Sequence, residues 1–588
     1  MQTAAQKPHQ PKEDLTSVLR YLLRVLAFGS LLTVLLVYWI VSAENRVVWE
    51  LTDFSFFPTV LFALFFLVLA NLGLRRVRPR WAFTDQELAT VYVMVSIATA
   101  MAGHDVIRQL VPLIGNPFWF ATPENEWAEL FHHYLPSWLT VSDLDVLRGY
   151  YQGGDSFWQP KVVRAWAIPF VAWSAFVIAA LVVMLCLNIV LRKQWIQYEK
   201  LNYPIAQMPI EVIGRPGNFY GNPLMWAGFG LAFLLEIAAG LHYLYPAFPF
   251  VPMKYNLTPF FREKPWNAAS TVAIYVYPFA TGLGYLMPLD LSFSLWFFYL
   301  FGKLQLVSFA AIGWPTGSAW MGEFRGGAWL SIALVALWTS RRHIGRVLAA
   351  ALGMDRSAQA ERDPVYRWAL VGLVLGSLFI FLFWLAAGMS WWMVLLYFGL
   401  YFLLVIAMTR MRAELGPPTH ELHDMHPDRI LVTFLGTRPF GAQNLTLTRL
   451  NSWLAYGYRC HPAPHQMEGF KIGSVLNVRD GRLIGAMLLA GAVGTVVSIG
   501  AHIVLYYQYR FAQWGVGEFN VLASWISNPR GPDLINIYRI LAGFSFATFL
   551  AAMKRRFLWW PFYPVGYAVG GGWAIGVDVV FDLSGLGN

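Results

Sequence analysis

Long apolar runs separated by short basic clusters set the pattern of the chain. Seven runs are clear, at 20–43, 54–74, 165–191, 222–246, 366–387, 389–409 and 484–507. Six more are less pure, at 85–103, 266–286, 289–311, 326–345, 533–553 and 561–580. A hydrocarbon core of about 30 Å is crossed by about 20 apolar residues of helix. The spacing therefore predicts an all-α polytopic membrane protein with about thirteen transmembrane helices. Residues 1–19 are polar and read as a cytoplasmic tail. The first run has full span length and no small-residue cleavage site, so no signal peptide is expected.

The basic clusters orient these spans, because Lys and Arg gather in cytoplasmic loops. Lys7, Lys12, Arg20 and Arg24 flank the first span, and Arg75, Arg76, Arg78 and Arg80 follow the second. Further clusters end the fourth span (Arg192, Lys193), the eighth (Arg341, Arg342, Arg346), the tenth (Arg410, Arg412) and the twelfth (Lys554, Arg555, Arg556). All of them share one side if the N-terminus is cytoplasmic. Residues 104–160 carry Glu124, Glu126, Glu129, Asp143, Asp145 and Asp155 instead, and read as an outer cap on a main bundle at 20–409. Residues 410–483 hold either no span or a re-entrant pair, on the cytoplasmic side. The remainder, 484–588, reads as an incomplete second repeat. A multi-pass protein of the cell (inner) membrane is expected.

Composition narrows the class. Apolar residues make up 57% of the chain and charged ones 13%, against about 45–50% and about 25% in soluble domains. That excludes an ordinary soluble enzyme. Two cysteines, Cys186 and Cys460, cannot make a disulfide framework. A net charge of +10 would suit nucleic acid, but the bases border apolar runs, so the bilayer is the expected partner and nucleic acid is not. Phosphate-cradling glycine loops, nucleophile elbows and dinucleotide fingerprints are missing, which argues against an ATP-driven pump. Neither catalytic residues nor a cofactor are expected.

Two of the runs look broken. Residues 266–288 contain Pro278, Gly282, Gly284 and Pro288, and 561–580 contains Pro564 and Gly570, Gly571 and Gly572. Non-helical backbone at membrane depth has to be buried in protein or line a wet cavity, and interrupted segments in two halves point to a transporter's substrate site. Glycine-packed helix contacts give the same pattern. An internal echo also stands out: LRKQWIQYEKLNYPIA at 191–206 and MKRRFLWWPFYPVG at 553–566 each run from a basic cluster through aromatics to Tyr-Pro. A two-fold repeat would leave such a trace.

Lys200-Leu-Asn-Tyr-Pro-Ile, followed by Gly282-Leu-Gly-Tyr-Leu-Met-Pro-Leu-Asp-Leu-Ser-Phe-Ser, resembles the oligopeptide transporter superfamily, which includes the yellow-stripe-like carriers. Arg-Ala-Glu-Leu-Gly-Pro-Pro at 412–418 is similar to uncharacterised bacterial membrane proteins related to it. The likeness covers about 190–325 and 405–475. It implies secondary transport, usually proton-coupled, of peptides or metal-chelate complexes, with Tyr203, Gly282, Gly284, Asp290 and Ser292 in the matching motifs.

Ionisable residues at membrane depth each need a reason. Glu236 is central in its run, and reads as a paired interior carboxylate, a proton-carrying residue or a packing residue. Asp290 opens a helix, as an N-cap or as part of a solute site. His104 and Arg108 are i,i+4 and form either a polar vestibule or a solvated helix end. His420, His423 and His426, with His461 and His465, are weak metal candidates; imidazole with nearby Glu and Asp suits zinc or iron, and a solvated loop is the alternative. The leading expectation is a proton-coupled secondary carrier centred where 278–290 meets Glu236, with a small peptide or chelate and H+ as partners. A non-transporting scaffold or anchor subunit, in a homo-oligomer or a membrane complex, is the second. A membrane metalloenzyme is the third.

Overall fold

The computed structural model describes residues 21–570 apart from 48–50, 55, 315–319, 355–363, 418–421, 423–424 and 511–513. It is about 77% helical. In lipid the backbone must bond to itself, which leaves the helix as the natural form for an apolar run. Among the described residues, ten helices are long and apolar enough to cross a membrane. The first half holds α1 (Ala27–Val47), α2 (Pro58–Val77), α3 (Asp85–Ala102), α4 (Ile107–Leu113), α5 (Pro160–Lys193), α6 (Pro223–Leu244), α7 (Leu289–Ala311) and α8 (Trp320–Ala351). The second holds α9 (Pro364–Ala386), α10 (Trp391–Glu414), α11 (Gly441–Leu450), α12 (Pro462–Val475), α13 (Asp480–Tyr509), α14 (Val516–Ser527), α15 (Leu534–Arg556) and α16 (Pro564–Gly570).

The expected span at 266–286 takes another form. Trp266–Ala269 is a 3-10 turn, and only Pro278–Leu286 is α-helical. Between them a short strand β2 (Ala273–Tyr275) pairs antiparallel with β1 (Lys254–Asn256), Lys254 lying opposite Tyr275. The sequence Ala-Ile-Tyr-Val-Tyr favours strand, and Pro278 fits a helix only in its first turn. The run 326–345 lies inside α8, a continuous helix of 32 residues. Arg325, Arg341, Arg342 and Arg346 dilute its hydropathy, and it falls outside the ten. The run 561–580 is described as far as Gly570, and its remainder lies outside the described residues.

Side-chain and glycine contacts fix helix directions. Tyr21 OH donates to Arg482 O (3.2 Å) at one end of the α1–α13 pair, and Arg46 Nη2 to Tyr509 OH (2.6 Å) at the other, so the two run parallel. Gly372 meets Cys186 and Gly376 meets Val183, so α5 and α9 run antiparallel. Gly327 lies on the Ile540 carbonyl and Gly543 on the Phe324 carbonyl, with no room for a Cβ at either position. Small residues thus bring α8 and α15 into backbone contact. Residues 116–152 fold into short helices over one end, burying Trp127, Phe131, Leu139 and Tyr150.

Within the segment read as a cytoplasmic or re-entrant stretch, residues 441–475 pack along α10. Asn444 Oδ1 accepts from the Ser390 N–H (2.8 Å) at the start of α10, and Tyr397 OH donates to Asn451 O (3.1 Å). Farther along, Tyr401 meets His461 (3.0 Å) and Arg412 meets Glu468 (2.8 Å). From α11 to α12 the chain therefore lies parallel to α10 along that helix's whole length, broken at 451–461. Helix α12 is further enclosed by α3 and α5.

Candidate functional site

Two helices are interrupted, and their interruptions cross. Gly103 ends α3 in an extended conformation, and Val106 (φ −121°, ψ −101°) precedes α4. A Cβ at Gly103 would come within 2.5 Å of Cys460 Sγ, so only glycine lets the second break approach. That second break ends at His461-Pro462, where proline at the first helical position starts α12. Gly457 lies directly on the Asp105 carboxylate, again with no room for a side chain.

Charge fills this crossing. Asp105 Oδ2 accepts from the Arg459 backbone N–H (2.8 Å) and Nε (3.2 Å), and its Oδ1 accepts from Nη2 (3.1 Å). Arg459 Nη1 also donates to Asp53 Oδ2 (3.0 Å). Thr52 Oγ1 donates to Glu44 Oε1 (2.8 Å) and accepts the His104 N–H (2.9 Å). Arg108 Nη1 lies 3.6 Å from Glu44 Oε2 and 3.0 Å from His104 Nδ1. A guanidinium donor makes that ring nitrogen an acceptor, so His104 is neutral here. All six ionisable side chains are at most 5% exposed. Buried charge is tolerated only when paired and hydrogen-bonded, and here Arg459 joins Asp105 to Asp53 while Arg108 faces Glu44.

A cavity of about 250 Å3 opens beside the crossing. Gln109 comes from α4, Ser452, Trp453 and Tyr456 from the second break, and Trp514 and Glu518 from the start of α14. Arg108 lies over the Trp514 ring (5.4 Å), and His104 meets its edge (5.4 Å). A void of about 20 Å3 lies beyond Trp453, against Asp105, Tyr401 and His461, room for about one water. Trp453 is the partition between the two.

The residues singled out from sequence are divided among several places. His104 and Arg108 are in the crossing. Glu236 is exposed on α6, a helix with no buried residue. Asp290 is not a cap: Pro288 precedes α7, and the Asp290 carboxylate accepts from Lys554 Nζ (2.9 Å) and Tyr563 OH (2.9 Å), tying α7 to α15. Ser292 continues the first turn of α7, its N–H on Pro288 O (3.0 Å), and Ser294 makes the cross-contact by accepting the Tyr563 N–H (2.9 Å). Gly282 faces open space, and Gly284 meets only the Met287 methyl at 4.0 Å. Tyr203 is buried at a left-handed turn (φ 49°) before Pro204, its N–H on Ala413 O (2.9 Å).

His461 faces Tyr401, and His465 takes Arg412 on Nε2 (3.0 Å) while stacking on Phe57 (4.4 Å). His420 and His423 lie outside the described residues. Among the described residues no three His, Cys, Asp or Glu are grouped to hold a metal ion. Sequence reasoning missed Glu44, Asp53, Arg459 and Glu518. One signal was there: Gly457-Tyr-Arg-Cys-His-Pro462 places ionisable residues between a glycine and a proline, much as Gly103-His-Asp places them beside a glycine.

No curated protein matches the chain at a significant level. A family model described as a family of unknown function (DUF6785) matches residues 16–580, and the chain belongs to that family.

Proposed function

We propose that the protein is a secondary carrier of the cell (inner) membrane, with its N-terminus cytoplasmic, that moves a small solute together with protons. One observation carries the reading: two interrupted helices cross at buried, ion-paired charge, beside an aromatic cavity. Interrupted helices at a shared level are the usual way a carrier frees backbone groups for its solute. The parallel α1–α13 pair and the antiparallel α5–α9 pair are those that an alternation of the ten apolar helices gives. Both Tyr-Pro echoes open helices, at Pro204 and at Pro564, in keeping with a two-fold repeat. The resemblance to oligopeptide transporters favours a peptide or a metal chelate as solute. A cavity of about 250 Å3 is below the about 300–1,000 Å3 of sites for drug-sized ligands, which favours a dipeptide-sized one.

Purified full-length protein in proteoliposomes tests this. Labelled dialanine should accumulate when the outside is acidic and stop when a protonophore collapses the gradient. Absence of gradient-driven uptake of dialanine and of an iron–citrate chelate would leave the scaffold reading. That alternative draws on α6, which buries none of its residues and touches Phe65 and Tyr220 through Trp226 and Phe229, leaving most of its surface to meet another membrane protein.

A further inference from the structure

We propose that the turn joining α2 to α3, together with the outer face of α2, binds an anionic phospholipid. Its phosphodiester headgroup lies on Arg76, Arg78 and Arg80, and an acyl chain lies along the helix. The proposal does not depend on the carrier reading. Residues 75–87 carry four arginines against two carboxylates, and the four are employed differently. Arg75 donates to Asp85 Oδ1 (2.6 Å) and to Phe83 O (3.2 Å). The second carboxylate, Glu87, closes a capping box with Thr84 at the start of α3, so that helix end already has its anion. Arg76, Arg78 and Arg80 are exposed, and among the described residues their side chains make no hydrogen bond, ion pair or ring contact. Planar guanidiniums match phosphate oxygens in pairs.

The turn is held from beneath. Arg24 Nη2 donates to Trp81 O (2.6 Å) and Ala82 O (3.3 Å). The buried Asn71 donates through Nδ2 to Phe83 O (2.9 Å) and accepts the Phe83 N–H on Oδ1 (2.7 Å). Pro79 opens the single 3-10 turn Pro79–Trp81 that carries Arg80. A backbone fixed before the ligand arrives lowers the ordering cost of binding. The apolar side of the site makes the ligand a lipid and not a free phosphate. Val77 is 78% and Trp81 68% exposed among the arginines, and a tryptophan is at home at headgroup level. Down α2, Phe62, Phe66 and Leu69 are exposed as well, and with Gly73 and Val77 they recur at steps of three and four, which is one helix face. Gly73 notches that stripe, because a Cβ there meets nothing within 4 Å. The stripe runs about 22 Å along the axis, more than half of a hydrocarbon core of about 30 Å, so an acyl chain of one leaflet lies along it while its headgroup meets the arginines.

Native mass spectrometry of the purified full-length protein in a neutral detergent tests this, with dioctanoyl phosphatidylglycerol, dioctanoyl phosphatidylcholine and glycerol 3-phosphate as probes. Phosphatidylglycerol should bind first and saturate, with the other two well behind. Arg76→Gln, Arg78→Gln and Arg80→Gln combined should weaken phosphatidylglycerol by about fivefold for each arginine removed. Arg341→Gln with Arg342→Gln, in the basic stretch of α8, should leave that first binding unchanged. Val77→Glu is the second variant: it sets a carboxylate among the arginines at a largely exposed position and should weaken the lipid about fivefold with every arginine in place. The proposal is overturned if phosphatidylcholine binds as well as phosphatidylglycerol, or if glycerol 3-phosphate binds as tightly as the lipid, which would make the turn a site for the free anion. It is equally overturned if the folded triple variant, or the folded Val77→Glu protein, binds phosphatidylglycerol as the parent does.

Discussion

The crossing of the two breaks and the α6 arm treat ionisable groups in opposite ways. At the crossing, Asp105 accepts three hydrogen bonds from Arg459 and all six ionisable residues are buried. On α6, Glu236 sits on a helix with no buried residue, and Gly228, Gly230 and Gly240 face open space. In sequence the two carboxylates look alike, each an acid inside or beside an apolar run. What separates them is whether a second interrupted element arrives to supply donors. A place within an apolar run does not decide whether a carboxylate is buried; a partner across the break does.

Removing the shared partner should have the largest effect. Arg459→Met removes the guanidinium that the buried Asp105 and Asp53 share. Breaking a buried pair from one side costs about 3–5 kcal/mol. Thermal unfolding in detergent should show a large loss, and adding Asp105→Asn should recover part of it. An Arg459→Met protein as stable as the parent would mean that the crossing is wetter and more forgiving than its geometry.

The extent to which the sequence disclosed this architecture follows from the same contrast. Helical runs were legible because hydropathy alone makes a span, and ten helices have the length and apolarity. Span 266–286 misled because its apolar residues are β-branched and aromatic around Pro278, a hairpin composition rather than a helical one. Residues 441–475 were hidden by the reverse problem: polar residues such as Arg449, Arg459, His465 and Glu468 lower hydropathy, yet they are buried because partners on other helices satisfy them. Within the site, His104 and Arg108 were readable from one segment. Pairing Asp105 with Arg459 was not, because the two lie 354 residues apart and periodicity carries no long-range register.

A smaller effect is expected where a carboxylate is exposed but capped. Asp143 Oδ1 accepts from the Asp145 N–H (2.9 Å) and the Val146 N–H (3.3 Å) at the start of Leu144–Gln152 in the cap of short helices, and its carboxylate pairs with Lys161 (3.0 Å). The hydrogen bond from Lys161 holds its carboxyl below the usual range. A lowered folded value means that this stability is fully present above the unfolded value, about pH 4, and is lost as pH falls through the folded one. Asp143→Ala should cost the cap helix about 1 kcal/mol, read as faster amide exchange over 144–152. Asp143→Asn should keep most of the cap at neutral pH and lose its acid dependence. Equal exchange in all three proteins would place the cap's stability in its aromatic core alone.

Glu236→Gln should change stability least and test the comparison most sharply. A carboxylate facing lipid costs roughly 2.5–3.5 kcal/mol even on the lenient insertion scale, and a neutral amide costs less. Since α6 buries none of its residues, no packing is lost either. The melting temperature should therefore stay unchanged or rise slightly, with the oligomeric state unaltered. On the carrier reading, with coupling placed at the crossing, the variant should keep the proton dependence of uptake. A fall in stability or in assembly size would reveal a partner seated on α6 and favour the scaffold reading. Uptake that survives without its proton dependence would return the coupling role to Glu236, and the arm rather than the crossing would then be the working end of the carrier.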